Sequence, residues 1–178
     1  PIDDIYGPNF RSGAADERVA FECESMLDDF CDLAKGDESG LVRLALASTI
    51  QRLPVSQRAR LAAALMTRAE DADDHNLPLL VWYGLIPVAN GDLAESRQMT
   101  LAQVAIESKW PKTQRLIARR LAERIGDHPD RVNELLIAAG ASERFVRFNL
   151  LSGLADGFKG WSRAPQPANW DKLASSLS

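Results

Sequence analysis

Apolar positions recur at three- and four-residue steps along most of this chain, and no stretch sustains the two-residue alternation of a strand. From Ala15 to Lys35 the stripe is Val19, Cys23, Met26, Leu27, Phe30, Cys31 and Ala34, with Gly36 as its stop. The turn from Asp37 to Gly40 leads into a second expected helix, Leu41 to Leu53, closed by Pro54. Ser56 is placed to cap a third helix that runs to about Ala69. Asn76 suits the N-cap of a fourth, with Pro78 in the first turn, where a missing N–H costs nothing, and an end near Pro87. Asn90, Gly91 and Asp92 form a turn into a fifth helix, about Leu93 to Glu107. Lys109 to Lys112 turns the chain into a sixth ending at Gly126, and His128, Pro129 and Asp130 start a seventh ending at Gly140. Ser142 is expected to cap an eighth, to about Phe158, and a short helical piece, Trp170 to Leu177, follows Pro165 and Pro167. The expectation is an all-α chain.

Every second helix starts alike. The segments from Gly40, Leu77, Lys112 and Arg144 align so that Arg43, Leu80, Arg115 and Arg147 are equivalent, spaced 37, 35 and 32 residues apart. A period in this range with two helices per unit is the signature of an α-solenoid. Its inner row should hold the helices at 41–53, 77–88, 112–125 and 144–157, and its outer row those at 15–35, 56–69, 93–107 and 130–139. The domain plan is an entry strap at 1–14, a repeat domain at 15–160 and a Pro-rich tail with a short terminal helix at 161–178.

Composition alters this picture little. An apolar fraction of 46% and a charged fraction of 26% are ordinary for a globular protein. The net charge of −4 argues against a dedicated nucleic-acid binder. The charge is uneven, since residues 1–39 carry eleven acidic and three basic side chains. The longest apolar run, Leu77 to Ala89, falls short of the ~20 residues that cross a bilayer. Cys23 and Cys31 lie about 12 Å apart along one helix, too far to bridge. The chain starts at Pro1 rather than Met, from which we expect a piece of a longer protein.

Asp37 followed by Val42-Arg43, and the later Val146-Arg147, resemble the Asp…Val-Arg pattern of HEAT repeats. The resemblance implies that Arg43, Arg115 and Arg147 form a stacking ladder with acidic groups of adjacent turns. The other reading is a basic stripe for an anionic ligand, joined by Arg119, Arg120 and Arg124. The ladder is preferred, because arginine forks satisfy carboxylates well at repeat joints.

The stretch from Asp71 to Gly84 is similar to a motif of large bacterial multidomain proteins described as membrane-bound dehydrogenases with a haem-binding cytochrome c domain. Ile117 to Leu121, and the ending Gly153 to Gly157 with Pro167 and Trp170, also resemble the HEAT segment of those proteins. Their haem site is Cys-x-x-Cys-His, which this chain lacks. The resemblance therefore implies a HEAT-like α-solenoid of about four helix pairs with no cofactor of its own, haem c elsewhere in the parent, and an extracytoplasmic location.

The candidate side chains have bland readings beside the sharp ones. His75 stands next to the Asn76 cap with only His128 as a second histidine, so it reads as a turn residue rather than a metal ligand. Glu70, Asp71, Asp73 and Asp74 could hold Ca²⁺. They lack the EF-hand order, however, and a helix N-terminus explains carboxylates there equally well. Trp82 and Tyr83 could form an aromatic platform, with core filling preferred. Trp110 should pack over an inter-helix turn, and Trp161 and Trp170 should staple the tail to the last repeat. No nucleophile elbow, phosphate loop or Cys–His motif is present. The function expected is a non-catalytic scaffold docking neighbouring domains of its parent or another protein, with no membrane contact. The alternative is a HEAT-like nucleic-acid-binding enzyme that uses the inner-helix arginines.

Overall fold

The computed structural model describes the backbone of residues 13–90 and 99–177, and the side chains of 24–90 and 99–175. The described backbone is all-α, with no strand in it. The entry strap, apart from its last two residues, lies outside this range, as do the side chains of Val19 and Cys23 and the first residues expected of the fifth helix.

The helices are α1 Gly13–Gly36, α2 Gly40–Thr49, α3 Val55–Leu65, α4 Leu77–Asn90, α5 Leu101–Glu107, α6 Pro111–Glu123, α7 Pro129–Ala141, α8 Arg144–Gly157 and α9 Trp170–Leu177. Several boundaries differ from expectation for identifiable reasons. After Thr49 the chain tightens into a 3₁₀ turn, Ile50–Arg52, because Leu53 precedes Pro54 and must be extended, at φ −72° and ψ 152°. Pro54 itself is then the N-cap of α3, which leaves Ser56 inside the helix instead of capping it. The α-helix also stops at Leu65, and Ala69 belongs to a separate 3₁₀ turn, Ala69–Asp71.

Pro87 does not end α4, which continues to Asn90. Pro87 removes a donor from the carbonyl of Tyr83, an exposed residue. Continuing the helix buries Val88 and Ala89 completely, and burying a valine contributes about 1.5–3 kcal/mol. The neighbouring Gly84 carbonyl accepts from Arg58 Nη1 at 3.4 Å. The seven-residue α5 starts only at Leu101, because Thr100 and Gln103 form a reciprocal capping box. Glu143, not Ser142, is the N-cap of α8, and the Ser142 hydroxyl donates backward to the Ala138 carbonyl at 2.7 Å.

Packing follows the alternation in the chain. The even helices touch in succession, α2 on α4, α4 on α6 and α6 on α8, and so do α1, α3, α5, α7 and α9. Chain neighbours pair as α1 with α2, α3 with α4, α5 with α6 and α7 with α8. The tightest of these contacts is α6 on α8. It depends on Gly153 and Gly157: a Cβ on Gly153 would lie 2.3 Å from the Arg115 carbonyl oxygen, and one on Gly157 would lie 2.6 Å from that of Arg119. The core is one cluster of small and aliphatic side chains running from Leu27 on α1 to Leu173 on α9. Leu173 anchors the tail against α7, helped by the Asn169 N–H donating to Asn133 Oδ1 at 3.1 Å.

Candidate functional site

The turns inside the helix pairs are joined into a polar thread. Arg43, buried on α2, grips Asp71 of the next unit through Nε–Oδ2 at 2.5 Å and Nη2–Oδ1 at 2.8 Å. Its Nη1 donates to the Asp37 carbonyl at 2.9 Å. Bonding to Asp71 raises the guanidinium pKa further. Arg68 donates to the Lys35 carbonyl at 2.9 Å, and Lys109 N–H donates to the Met66 carbonyl at 2.8 Å. Trp110 is fully buried, and its Nε1 donates to the Arg68 carbonyl at 2.7 Å. The thread continues through buried amides, with Asn149 donating to Gln114 Oε1 at 2.8 Å and Gln114 to the Ser108 carbonyl at 2.7 Å. The side chains of Arg43, Asp71, Trp110, Gln114 and Asn149 each find a partner, as burial of polar atoms requires, whereas the buried Arg68 Nε makes no hydrogen bond.

Among the three arginines expected to form the ladder, only the first two, Arg43 and Arg115, meet carboxylates of other elements. Arg115 Nε pairs with Asp156 Oδ2 at 2.5 Å, on a surface where the arginine side chain is 54% exposed. Arg115, and after it Lys159, holds the Asp156 carboxyl well below the usual carboxylate range. Arg147 departs from the ladder. It donates to the carbonyls of Ala139, Gly140 and Ser142, closing the C-terminal end of α7 rather than meeting an acid. Arg119 pairs within its own helix with Glu123 at 2.9 Å, and Arg120 bridges Glu123 to Asn90 Oδ1.

The aromatic expectation is also corrected. Trp82 is half-buried against the core and Tyr83 is exposed, so the tryptophan that fills the core at a joint is Trp110. Position 110 lies where two turns meet, whereas position 83 is on the outward side of α4. Asn76 does take the N-cap place, its carbonyl accepting from Leu80 at 2.9 Å. The side chain that caps is Asp74, which accepts from the Asn76 and Leu77 N–H groups at 2.8 Å each, and these bonds lower its pKa. His75 is exposed in this turn. Among the described residues no group of three His, Cys, Asp or Glu side chains is arranged to hold a metal ion, and no described helix is long and apolar enough to cross a membrane. Cys31 is a buried free thiol whose pKa burial raises. Of the two staples, Trp161 meets Phe158 edge-to-face at 6.0 Å, and Trp170 lines a recess with Pro165 and Pro167.

The candidates gather in one place only, on the even helices. A polar recess of about 380 Å³ between α6 and α8 is lined by Lys112, Arg115, Leu116, Arg119, Asn149 and Asp156. A second of about 310 Å³ between α4 and α6 is lined by Trp82, Ile86, Leu116, Arg119, Arg120 and Glu123. Leu116 and Arg119 belong to both, so the two adjoin along α6 as a groove. His75, Asn76, Tyr83, Arg43 and Arg147 are not part of this groove. Lys112, Leu116 and Asp156 were not singled out from the sequence. Lys112, Arg115 and Arg119 were readable as a stripe at steps of three and four on one helix, but what faces it from α4 and α8 was not.

Charge divides along the same line. The even helices carry seven basic residues (Arg43, Lys112, Arg115, Arg119, Arg120, Arg144, Arg147) against two acidic ones, Glu123 and Asp156. The odd helices carry eleven acidic against six basic. No family model matches the chain, and neither the curated proteins nor the solved structures give a match.

Proposed function

We propose that the chain is a HEAT-like α-solenoid of about four helix pairs that acts as a non-catalytic scaffold. In this reading it belongs to a longer extracytoplasmic protein of the dehydrogenase–cytochrome c kind that residues 71–84 resemble. The observation that carries it is the ordered succession of helix contacts together with the thread joining Asp37, Arg43, Asp71, Trp110, Gln114 and Asn149. Repeat arrays hold together in this way, each unit meeting only its neighbours. Nearly every buried polar side chain of that thread is committed to holding turns together, which suits a rigid spacer rather than a reaction centre.

The test has two arms. The purified chain should show no haem absorption, no stoichiometric metal and no dye reduction with sugar or alcohol substrates. Cross-linking of the natural protein in its cell envelope, followed by mass spectrometry, should place a protein neighbour or another domain of the same parent on this segment. A bound haem or turnover by the isolated chain would reject the scaffold. So would a segment that cross-links to nothing.

The nucleic-acid reading draws on the seven basic residues of the even helices. Glu123 and Asp156 stand among Arg115, Arg119 and Arg120 and interrupt the row of cations that a run of backbone phosphates would contact, which weighs against it.

A further inference from the structure

We propose that the groove across α4, α6 and α8 docks an acidic peptide segment of a partner protein, one that carries an apolar anchor side chain. The proposal deepens the scaffold reading and rests on it. Charge is the first support. The groove presents Lys112, Arg115, Arg119 and Arg120 against only Glu123 and Asp156, on a row of helices with a surplus of basic residues.

Donor availability is the second. Arg115 and Arg119 each offer only Nε to their carboxylate partners, at 2.5 and 2.9 Å, and their side chains are 54% and 55% exposed. Their terminal nitrogens are therefore open to donate to a second carboxylate end-on. Lys112 is exposed at the mouth of the polar recess. Asp156 already shares its oxygens between Arg115 and Lys159, so an incoming carboxylate meets little repulsion from it.

The floor is the third support. Trp82, Ile86 and Leu116 are half-buried and line the α4–α6 recess beside Arg119 and Arg120, with Lys112 and Arg115 in the adjoining one. An apolar centre with a polar rim is the anatomy of a protein-docking surface, and a half-buried tryptophan is its usual anchor point. Double-stranded nucleic acid would use the rim but leave Ile86 and Leu116 without a complement, and a single strand is a separate arm of the test. The two adjoining recesses, about 380 and 310 Å³, suit a few side chains of an extended segment rather than a folded domain.

The test uses the purified chain and a short fluorescein-labelled peptide in which glutamate pairs alternate with leucine, followed by anisotropy. A glutamine-for-glutamate peptide and a single-stranded oligothymidylate serve as counter-probes. The glutamate peptide should bind about tenfold tighter than the glutamine peptide, with affinity falling as salt rises. Arg119→Glu and Lys112→Glu should each weaken it by about five- to tenfold, and Trp82→Ala should weaken it too. Circular dichroism melting should show the two charge reversals folded as wild type, since both positions are exposed. Equal binding of the two peptides, or charge-reversal variants that bind unchanged, would overturn the proposal. Oligothymidylate that binds tighter than the peptide and is lost in the same variants would assign the groove to nucleic acid instead. If the peptide fails while cross-links still map to another face of the segment, the docking groove falls and the scaffold stands. If the cross-links are absent as well, both fall.

Discussion

Arg43 and Asp71 are 28 positions apart, yet the guanidinium meets both carboxylate oxygens, at 2.5 and 2.8 Å, with both residues buried. This one fork joins α2 to the turn that precedes α4. Removing one partner leaves a buried charge without its complement, which costs about 3–5 kcal/mol, whereas replacing both with apolar residues of similar volume is close to neutral. Asp71→Ala should therefore destabilise strongly in urea unfolding. The double change Arg43→Met with Asp71→Leu should recover most of the loss. A double variant no more stable than Asp71→Ala would show that the fork holds something besides its own partner.

Trp110 should be the costliest aromatic in the molecule. It has no exposed surface, and truncating a buried tryptophan to alanine costs about 3–5 kcal/mol. Trp82→Ala, at a half-buried site, should cost less, and His75→Ala, in an exposed turn, least of all. Trp110→Phe isolates the bond to the Arg68 carbonyl. It should cost about 1–3 kcal/mol, since it leaves a buried acceptor without its donor. Denaturant midpoints of the four variants check the ranking.

Gly153 and Gly140 should respond to alanine in opposite directions. A Cβ at Gly153 would stand 2.3 Å from the Arg115 carbonyl oxygen and 2.7 Å from the Ala118 Cβ, so α8 must move off α6. Overpacking of this kind costs about 1–3 kcal/mol. A Cβ at Gly140 meets only Leu173 Cδ1, at an ordinary 3.6 Å, and Gly140→Ala should stabilise α7 by about 0.4–1 kcal/mol through the unfolded chain. Thermal melts that shift the same way for both would remove the close approach of α6 and α8 as the cause.

Acid should weaken the fold through Asp156 and Asp74. Both have folded pKa values depressed below the unfolded value of about 3.9, Asp156 by Arg115 and Lys159, Asp74 by the Leu77 and Asn76 N–H groups. Their stabilisation is therefore present above about pH 4 and is lost as pH falls through the folded values. Asp156→Asn and Asp74→Asn should each flatten the acid limb of a stability–pH curve, lowering stability above pH 5 without changing the slope there. An acid limb identical to wild type would show that these bonds do not persist in solution.

The helices were legible because their apolar stripes are long and their turns carry proline, glycine and acidic caps. Even the Thr100–Gln103 capping box was written in the sequence, as a threonine three residues before a glutamine. The earlier Gly91–Asp92 signal drew the expected start away from it. What periodicity cannot show is which residue stands opposite which. Arg43 was readable as a ladder arginine, but nothing along the chain marks Asp71 rather than Asp73 or Asp74 as its partner. Trp82 and Trp110 look alike as letters. One lies on a helix flank and the other where two turns close, so burial separates them. The groove needs α4, α6 and α8 together, and no single stripe spells it.

The unequal charging of the two sets of helices also gives the molecule a direction. A net charge of −4 suggests a particle that anionic surfaces repel. Yet the even helices hold an excess of five positive charges and the odd ones an excess of five negative. Packed helices lie 8–10 Å apart, so the helix charges alone contribute a dipole of about 200 debye. Near an anionic surface such a body turns its even helices inward, and near a cationic one it turns over. Surface charge thus selects which side is presented, and the isoelectric point alone is a poor guide to what the chain will adhere to.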